Sequence, residues 1–255
     1  MSALLAAWPE GAQHRSESFG CLPLHFACKH RAAELRLVDL VHAAYPQAAS
    51  VPDEDGRTPL HLAVAHAADE RVVALLLSSY PMAARCVDHE GALPLHAAAA
   101  GHASGAVVDR LLGAYLEGAC IAVHGGLTPL HLAARHAAPI EAIEALLAAN
   151  PQAASQRTDD GFLPLHCAAD AGASAASIHA LLLCNPRGAR SRTRTGKLPL
   201  QLVARRGFIE VDADEVSTRR STGHRISHRE PLRRQASRHG VVGGTRDAAF
   251  TSSRH

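Results

Sequence analysis

Aromatic residues and long apolar runs are scarce in this chain of 255 residues. Phe, Trp and Tyr make up 4% of it, whereas hydrophobic residues as a whole make up 47%. Ala, Leu and Val supply most of the apolar mass, and small side chains favour helices packed closely in layers over one thick core. No stretch approaches the roughly 20 apolar residues that a membrane-spanning helix needs. The sequence therefore predicts layered helices and no transmembrane segment.

The six cysteines are scattered, without the regular spacing of a disulfide framework. The N-terminal apolar run ends at Pro9 and has no basic leader, so it is too short for a secretion signal. Free thiols without such a signal are typical of reducing compartments. We therefore expect an intracellular protein, cytoplasmic or nuclear.

Motifs that carry catalysis are also missing. The chain has no Gly-x-Ser-x-Gly, no phosphate-binding Gly-rich loop and no His-Glu-x-x-His. Stacked helix pairs also lack the deep pocket that excludes water around a reaction. The sequence thus predicts no catalytic site and no cofactor.

The chain does contain an internal repeat. The pattern Gly-x-x-Pro-Leu-His-x-Ala recurs every 35 or 36 residues, and a sixth, altered copy has the sequence Gly-Lys-Leu-Pro-Leu-Gln-Leu-Val. The six copies begin at Gly20, Gly56, Gly91, Gly126, Gly161 and Gly196. A second mark recurs in phase with them, namely Pro46, Pro81, Pro151 and Pro186, with Leu116 in the remaining place.

Each copy predicts a turn and two antiparallel helices. Glycine permits a turn with positive φ, and proline fits the first turn of a helix. Thr58 and Thr128 precede that proline and can cap the helix, whereas the other four copies have Leu there. Apolar residues nine, eight, five and four places before the recurring proline give the second helix one buried face. One such unit cannot bury its apolar face alone, but a stack of units can.

The segments Thr58–Ala63 and Thr128–Ala133, Thr-Pro-Leu-His-Leu-Ala, resemble the ankyrin signature. The resemblance covers about residues 14–206 and implies an all-α, ankyrin-type helix-turn-helix solenoid. We expect six repeats in residues 14–216, the last of them degenerate. The period is 35 rather than 33 residues, so we expect the extra length between the two helices and after the second one.

Both ends depart from the repeat. Residues 1–13 match the second helix of a repeat whose first half is absent, and residues 217–255 are rich in Arg and Ser and poor in aromatics. We expect a partial repeat at the first end and a disordered tail at the second. The half-repeat also leaves open that the chain is a fragment cut within a repeat.

Five histidines could suggest a metal or catalytic site, but they occur once per repeat and cannot converge on one centre. The ankyrin resemblance implies that His25, His61, His96, His131 and His166 hydrogen-bond locally and brace neighbouring turns. Cys21, His25 and Cys28 have the best metal-ligand spacing, but His30 could complete a zinc site only with awkward geometry. We expect no bound metal, and metal analysis would test the zinc alternative.

The ankyrin arrangement places turn tips and the ends of the first helices on a concave face. Mapping the motif gives the expected protein-binding residues: Glu54, Asp55, Arg57, His89, Glu90, His124, Leu127, Arg135, His136, Asp159, Asp160, Phe162, Asp170, Arg194, Lys197, Arg205 and Arg206. Phe162 lies among charged residues, and an exposed aromatic in such a setting is a common interface anchor.

Charge is uneven along the chain. Residues 1–186 have 10 Lys and Arg against 18 Asp and Glu, whereas residues 187–206 have seven basic residues and no acidic one. Residues 217–255 add nine Arg against two acidic residues. Such asymmetry is a hint about partners.

These observations favour a monomeric protein-interaction scaffold that binds another protein through turn tips and the concave helix face. Two alternatives stay open. The chain could be the accessory ankyrin module of a larger enzyme or channel. It could also bind nucleic acid or an anionic membrane through its Arg-rich tail, although the tail lacks interleaved aromatics and any recognised nucleic-acid module.

Overall fold

The computed structural model describes residues 8–29 and 35–204, and these form eleven α-helices and no β-strand. The helices are α1 (Pro23–Lys29), α2 (Leu35–Ala44), α3 (Pro59–Ala65), α4 (Glu70–Ser79), α5 (Pro94–Ala100), α6 (Gly105–Ala114), α7 (Pro129–Arg135), α8 (Ile140–Ala149), α9 (Pro164–Ala171), α10 (Ala175–Cys184) and α11 (Pro199–Ala204). The all-α prediction is confirmed. The expectations for residues 1–7, His30, Arg205, Arg206 and the tail lie outside the described residues.

Each repeat begins its first helix at the proline of the motif. Pro59 and Pro129, for example, open α3 and α7, where a residue without an N–H costs no hydrogen bond. A second helix of ten residues follows in the first five repeats. Neighbouring first helices pack on one another, and so do neighbouring second helices. The helices therefore form two layers of a stack.

The recurring prolines after the second helices each begin a short 3-10 helix. Pro81 begins a five-residue 3-10 helix that ends at Arg85, and Tyr80 before it has left the helical region, with φ −142° and ψ 85°. A residue that precedes proline is sterically pushed out of the α region, which favours the break at Tyr80. Tyr115 has nearly the same conformation before Leu116, with φ −153° and ψ 88°. The same 3-10 segment recurs at Pro9–Gln13, Pro46–Ser50, Leu116–Cys120, Pro151–Ser155 and Pro186–Arg190. Leu116 shows that proline is not essential to it.

The core is made of Ala, Val and Leu, as the composition predicts. The four apolar positions of the second helix are buried in α4, where Val72, Val73, Leu76 and Leu77 face inward. Each such side chain contributes about 1.5 to 3 kcal/mol on burial. None of the helices within the described ranges is long and apolar enough to cross a membrane.

Two glycines of the third repeat set the spacing to its neighbours. A Cβ atom on Gly101 would lie 2.4 Å from the carbonyl oxygen of Ala65, and one on Gly105 would lie 2.6 Å from the Cβ of Glu141. Both distances are far below van der Waals contact, so the backbones can approach this closely only at glycine. The third repeat is therefore held tightly on both sides.

Candidate functional site

The turn of each repeat projects beyond the helices, and we call the four residues that end at its glycine the tip: 53–56, 88–91, 123–126, 158–161 and 193–196 in the second to sixth repeats. The first residue of a tip closes the turn. Asp53 Oδ1 accepts hydrogen bonds from the N–H groups of Asp55 and Arg57 at 3.0 and 2.8 Å. Asp88, Thr158 and Thr193 close their turns in the same way. The side-chain oxygen stands in for a backbone acceptor and fixes the shape of the tip.

Main-chain hydrogen bonds join successive tips. The N–H of His89 donates to the carbonyl of Asp55 at 2.9 Å, and the N–H of Arg194 donates to the carbonyl of Asp160 at 3.0 Å. The same relation links Glu54 to Phe19 and Asp159 to Gly125. The main chains at the tips of the first three repeats, and those of the last three, are thus held in fixed register.

The tip of the fourth repeat has a different shape. Val123 stands at the closing position, so the turn is closed through the backbone alone, by bonds between Val123 and Leu127. Gly125 and Gly126 both have positive φ, at 81° and 74°. In the third repeat, no atom lies within 4 Å of the position that a Cβ on Gly91 would take. The contact between tips is therefore looser between the third and fourth repeats than elsewhere.

The structure places the expected binding residues in two groups. Those fully on the surface are Glu54, Asp55, His89, Glu90, His124, Arg135, His136, Asp159, Asp160, Asp170 and Arg194. Those half-buried are Arg57, Leu127, Phe162 and Lys197. Arg57 forms ion pairs with Asp53 and Asp55 of its own turn, so its guanidinium stabilises that turn.

Phe162 is not a freely exposed ring. It packs against the hydrophobic core, and its ring meets that of His166 edge-on, with centroids 5.8 Å apart. Its carbonyl also accepts a hydrogen bond from His131. Part of its surface is accessible to solvent while the residue supports the fifth repeat.

The five repeated histidines are structural. In each, Nδ1 accepts a hydrogen bond from the backbone N–H three residues earlier, at 3.1 to 3.3 Å. In two of them, Nε2 donates to a carbonyl of the next repeat, His61 to Ala92 and His131 to Phe162. In two others it donates to a carbonyl just before the next tip, His96 to Ile121 and His166 to Ser191. The buried Nε2 of His25 has no hydrogen-bond partner among the described residues. These histidines therefore cap the first helices, and four of them also hold the chain that leads to or begins the next repeat.

The histidine ring also takes over the capping expected of threonine. Thr128 Oγ1 does accept from the N–H of His131 at 3.4 Å, but Thr58 Oγ1 contacts only the ring of His61, at 3.0 Å. The repeats with Leu at this position keep the histidine bond. In the sixth repeat Gln201 replaces histidine, and its Oε1 accepts from the N–H of Leu198 at 2.9 Å.

Burial lowers the pKa of all five histidines, to about 4 for His96 and His131. The neutral ring is required, because a protonated Nδ1 could not accept the backbone N–H. Burial also raises the pKa of the Cys28 thiol to about 12 and that of Cys167 to about 11, which disfavours the reactive thiolate.

The metal-ligand spacing of Cys21, His25 and Cys28 does not correspond to a site in the structure. His25 Nδ1 is used by the backbone N–H of Leu22 at 3.1 Å, and Cys21 lies beside Asp53. In the part of the chain that the structure describes, no three His, Cys, Asp or Glu side chains are grouped closely enough to hold a metal ion.

Two further arginines, Arg157 and Arg192, lie directly before tips and were not among the binding residues expected from the motif. Arg157 Nη1 donates to the carbonyls of Gly161 at 2.9 Å and Arg192 at 3.0 Å, and Arg192 Nη1 donates to the carbonyl of Gly196 at 2.7 Å. Arg15 has the same role in the first repeat, with Gly20 and Pro52. The sequence does show that Arg157 and Arg192 each stand one residue before a tip, and this recurrence could have indicated their role.

The comparisons with known proteins agree with this geometry. A family model described as ankyrin repeats (3 copies) matches residues 24–121 and again residues 95–191, which together are more than half of the chain. A comparison with curated proteins gives no match. Among solved structures, a chain in "Bd0816 Predatory Endopeptidase from Bdellovibrio bacteriovorus in complex with immunity protein Bd3460" is similar, with a TM-score of 0.58 and 21% identity over 76% of this chain and 94% of that chain. That likeness supports the fold alone. The repeated turns, helix pairs and bridging histidines, together with the family match, show that this chain belongs to the ankyrin repeat family.

Proposed function

We propose that this chain is a protein-interaction module that binds a partner protein through its tips and the adjoining ends of its first helices, without chemistry of its own. One observation carries the proposal. The tips expose charged and imidazole side chains, and main-chain hydrogen bonds join the tips of the first three repeats to one another and those of the last three to one another. A surface held in this way loses little conformational freedom on binding, and this favours affinity.

Further observations support binding over catalysis. Cys28 and Cys167 are buried, and their pKa values are raised. The ring nitrogens of the repeated histidines, as in His131, form hydrogen bonds with backbone groups. The structure with a similar fold is of an endopeptidase in complex with an immunity protein, so chains of this shape occur in protein complexes. Family membership points the same way, since stacked repeats build extended binding surfaces.

Site-directed photo-cross-linking tests the proposal. A photo-reactive amino acid is placed singly at Glu54, His89 or Asp159, which are exposed tip residues, in cells that express the chain. Matched controls carry it at Ser78 and Glu144, which are exposed on the second helices α4 and α8. We expect all three tip positions to capture one and the same protein, and the controls to capture none of it. Equal capture from both sets, or no capture from the tips, would contradict the proposal.

A further inference from the structure

Four cations lie in or directly beside the tips of the last two described repeats. Arg157, Arg192 and Arg194 are exposed and Lys197 is half-buried, and none of them forms an ion pair with a described residue. The paired arginines lie elsewhere: Arg57 with Asp53 and Asp55, Arg71 with Asp69, and Arg110 with Glu70. We call Arg157, Arg192, Arg194 and Lys197 the basic tip cluster.

Two guanidinium groups of this cluster are fixed in place. Arg157 and Arg192 each bind backbone carbonyls through Nη1, which leaves Nη2 of both without a hydrogen bond to any described residue. The two residues belong to successive repeats, and the guanidinium of Arg157 donates to the main-chain carbonyl of Arg192 at 3.0 Å. A guanidinium held this way has lost part of its side-chain freedom before a ligand arrives, so a carboxylate can bind its open edge at lower entropic cost.

We infer that the basic tip cluster binds an acidic, extended segment of the partner protein, with one carboxylate at Arg157 and another at Arg192. Stacked helices lie roughly 8 to 10 Å apart, and an extended segment in the polyproline II conformation advances about 3.1 Å per residue with three residues per turn. Carboxylates three residues apart, as in Glu-x-x-Glu, therefore lie on one face of such a segment and match the repeat spacing. The inference rests on the proposed function and specifies its partner.

Acidic neighbours favour a protein segment over a nucleic acid. Asp159 and Asp160 are exposed in the tip beside the cluster, and the carbonyl of Asp160 accepts the N–H of Arg194. A polyphosphate that runs along the tips would meet these carboxylates and be repelled. The described part of the sixth repeat also has no aromatic residue on which a base could stack. A short acidic segment can place its carboxylates at the arginines and present neutral or basic residues to Asp159 and Asp160.

Binding of defined peptides to the full chain tests the inference. The probe is a fluorescent peptide with Glu at every third position and neutral residues between, compared with a peptide of the same composition whose Glu residues are contiguous. We expect the spaced peptide to bind about tenfold more tightly. Arg157→Gln with Arg192→Gln should remove that preference and weaken binding of the spaced peptide about tenfold. Fluorescence anisotropy at fixed ionic strength measures each Kd.

A control variant distinguishes the loss of these two arginines from the loss of net positive charge. Arg36→Gln with Arg71→Gln removes the same charge from exposed positions in the first and second repeats, so binding should stay within twofold of the parent chain. Circular dichroism confirms that both variants fold. Three results would each overturn the inference. The first is an equal loss of peptide binding in the two variants, and the second is peptide binding that neither variant changes. The third is tighter binding of polyuridylate RNA than of the peptide, provided that it depends on Arg157 and Arg192. Because the peptides do not require the natural partner, failure of this test leaves the cross-linking result, and with it the proposed function, standing.

Discussion

The Nε2 atom of His131 lies 3.2 Å from the carbonyl oxygen of Phe162, so one imidazole ring joins the fourth repeat to the fifth. Its other nitrogen, Nδ1, accepts from the N–H of Thr128 at the start of the same helix. A single buried side chain thus caps α7 and bridges to the next turn.

We expect His131→Ala to lower the free energy of unfolding by about 2 to 3 kcal/mol, because two hydrogen bonds are lost and the backbone N–H of Thr128 is left unpaired. His131→Gln should cost only about 1 kcal/mol, since Gln201 shows that glutamine can accept the same N–H within its own repeat. Urea unfolding at neutral pH measures both. The exposed His124→Ala is the control, and similar losses for all three variants would contradict the bridging role.

Acid should destabilise the stack between pH 6.5 and about 4. The folded-state pKa values of His96 and His131 are about 4 against 6.5 for a free imidazole. The unfolded chain binds more protons in this window, so the stabilisation is complete above pH 6.5 and falls as the pH drops towards 4. Each of the two residues should then contribute a loss on the order of 3 kcal/mol.

Urea unfolding at a series of pH values tests this expectation. The slope of stability against pH should be shallower in His131→Gln than in the parent chain, because one titrating group is gone. An unchanged slope in the variant would show that other groups govern the acid sensitivity.

Two tip glycines with the same backbone conformation form a matched pair. Gly161 and Gly91 have φ of 79° and 77°, so alanine is strained by about 1 kcal/mol at both. A Cβ on Gly161 would lie 3.0 Å from the nitrogen of Arg194, whereas a Cβ on Gly91 would meet nothing within 4 Å. We expect Gly161→Ala to be the more destabilising by roughly a further 1 kcal/mol. Thermal unfolding of the two variants measures the difference, and equal losses would show that tip contact adds no stability.

Gly101→Ala should be the most damaging small substitution in the third repeat. The added Cβ would lie 2.4 Å from the carbonyl oxygen of Ala65, so two repeats must move apart, at a cost of about 3 kcal/mol. Gly113→Ala is the control, because Gly113 lies in α6 with open space around it. There alanine should stabilise the helix by about 0.5 to 1 kcal/mol. Chemical unfolding that gave the same sign for both would contradict the close packing.

Much of the fold could be predicted from the sequence because its signals recur. The motif prolines begin the first helices, and the apolar spacing seen at Val72, Val73, Leu76 and Leu77 marks the buried face of α4. The 3-10 helix at Pro81 could not be predicted from the role of proline as a helix terminator. Tyr115 has nearly the same conformation before Leu116 as Tyr80 has before Pro81, so the segment does not require proline.

The positions of the tips could be predicted from the sequence, but the contacts of their side chains could not. Motif mapping located the tips, since the turn is fixed by the repeat. It did not show that Arg57 is engaged by Asp53, or that the ring of Phe162 packs on His166, because both depend on contacts within or beneath the turn. Arg157 and Arg192 were missed for a similar reason, as their hydrogen bonds to carbonyls follow from backbone geometry that residue types do not reveal.

The histidine bonds alternate along the stack. His61 and His131, which follow Thr, bind a carbonyl 31 residues later, whereas His96 and His166, which follow Leu, bind one 25 residues later. Removing the third repeat would therefore place two threonine-type repeats side by side, a junction found nowhere in the described chain.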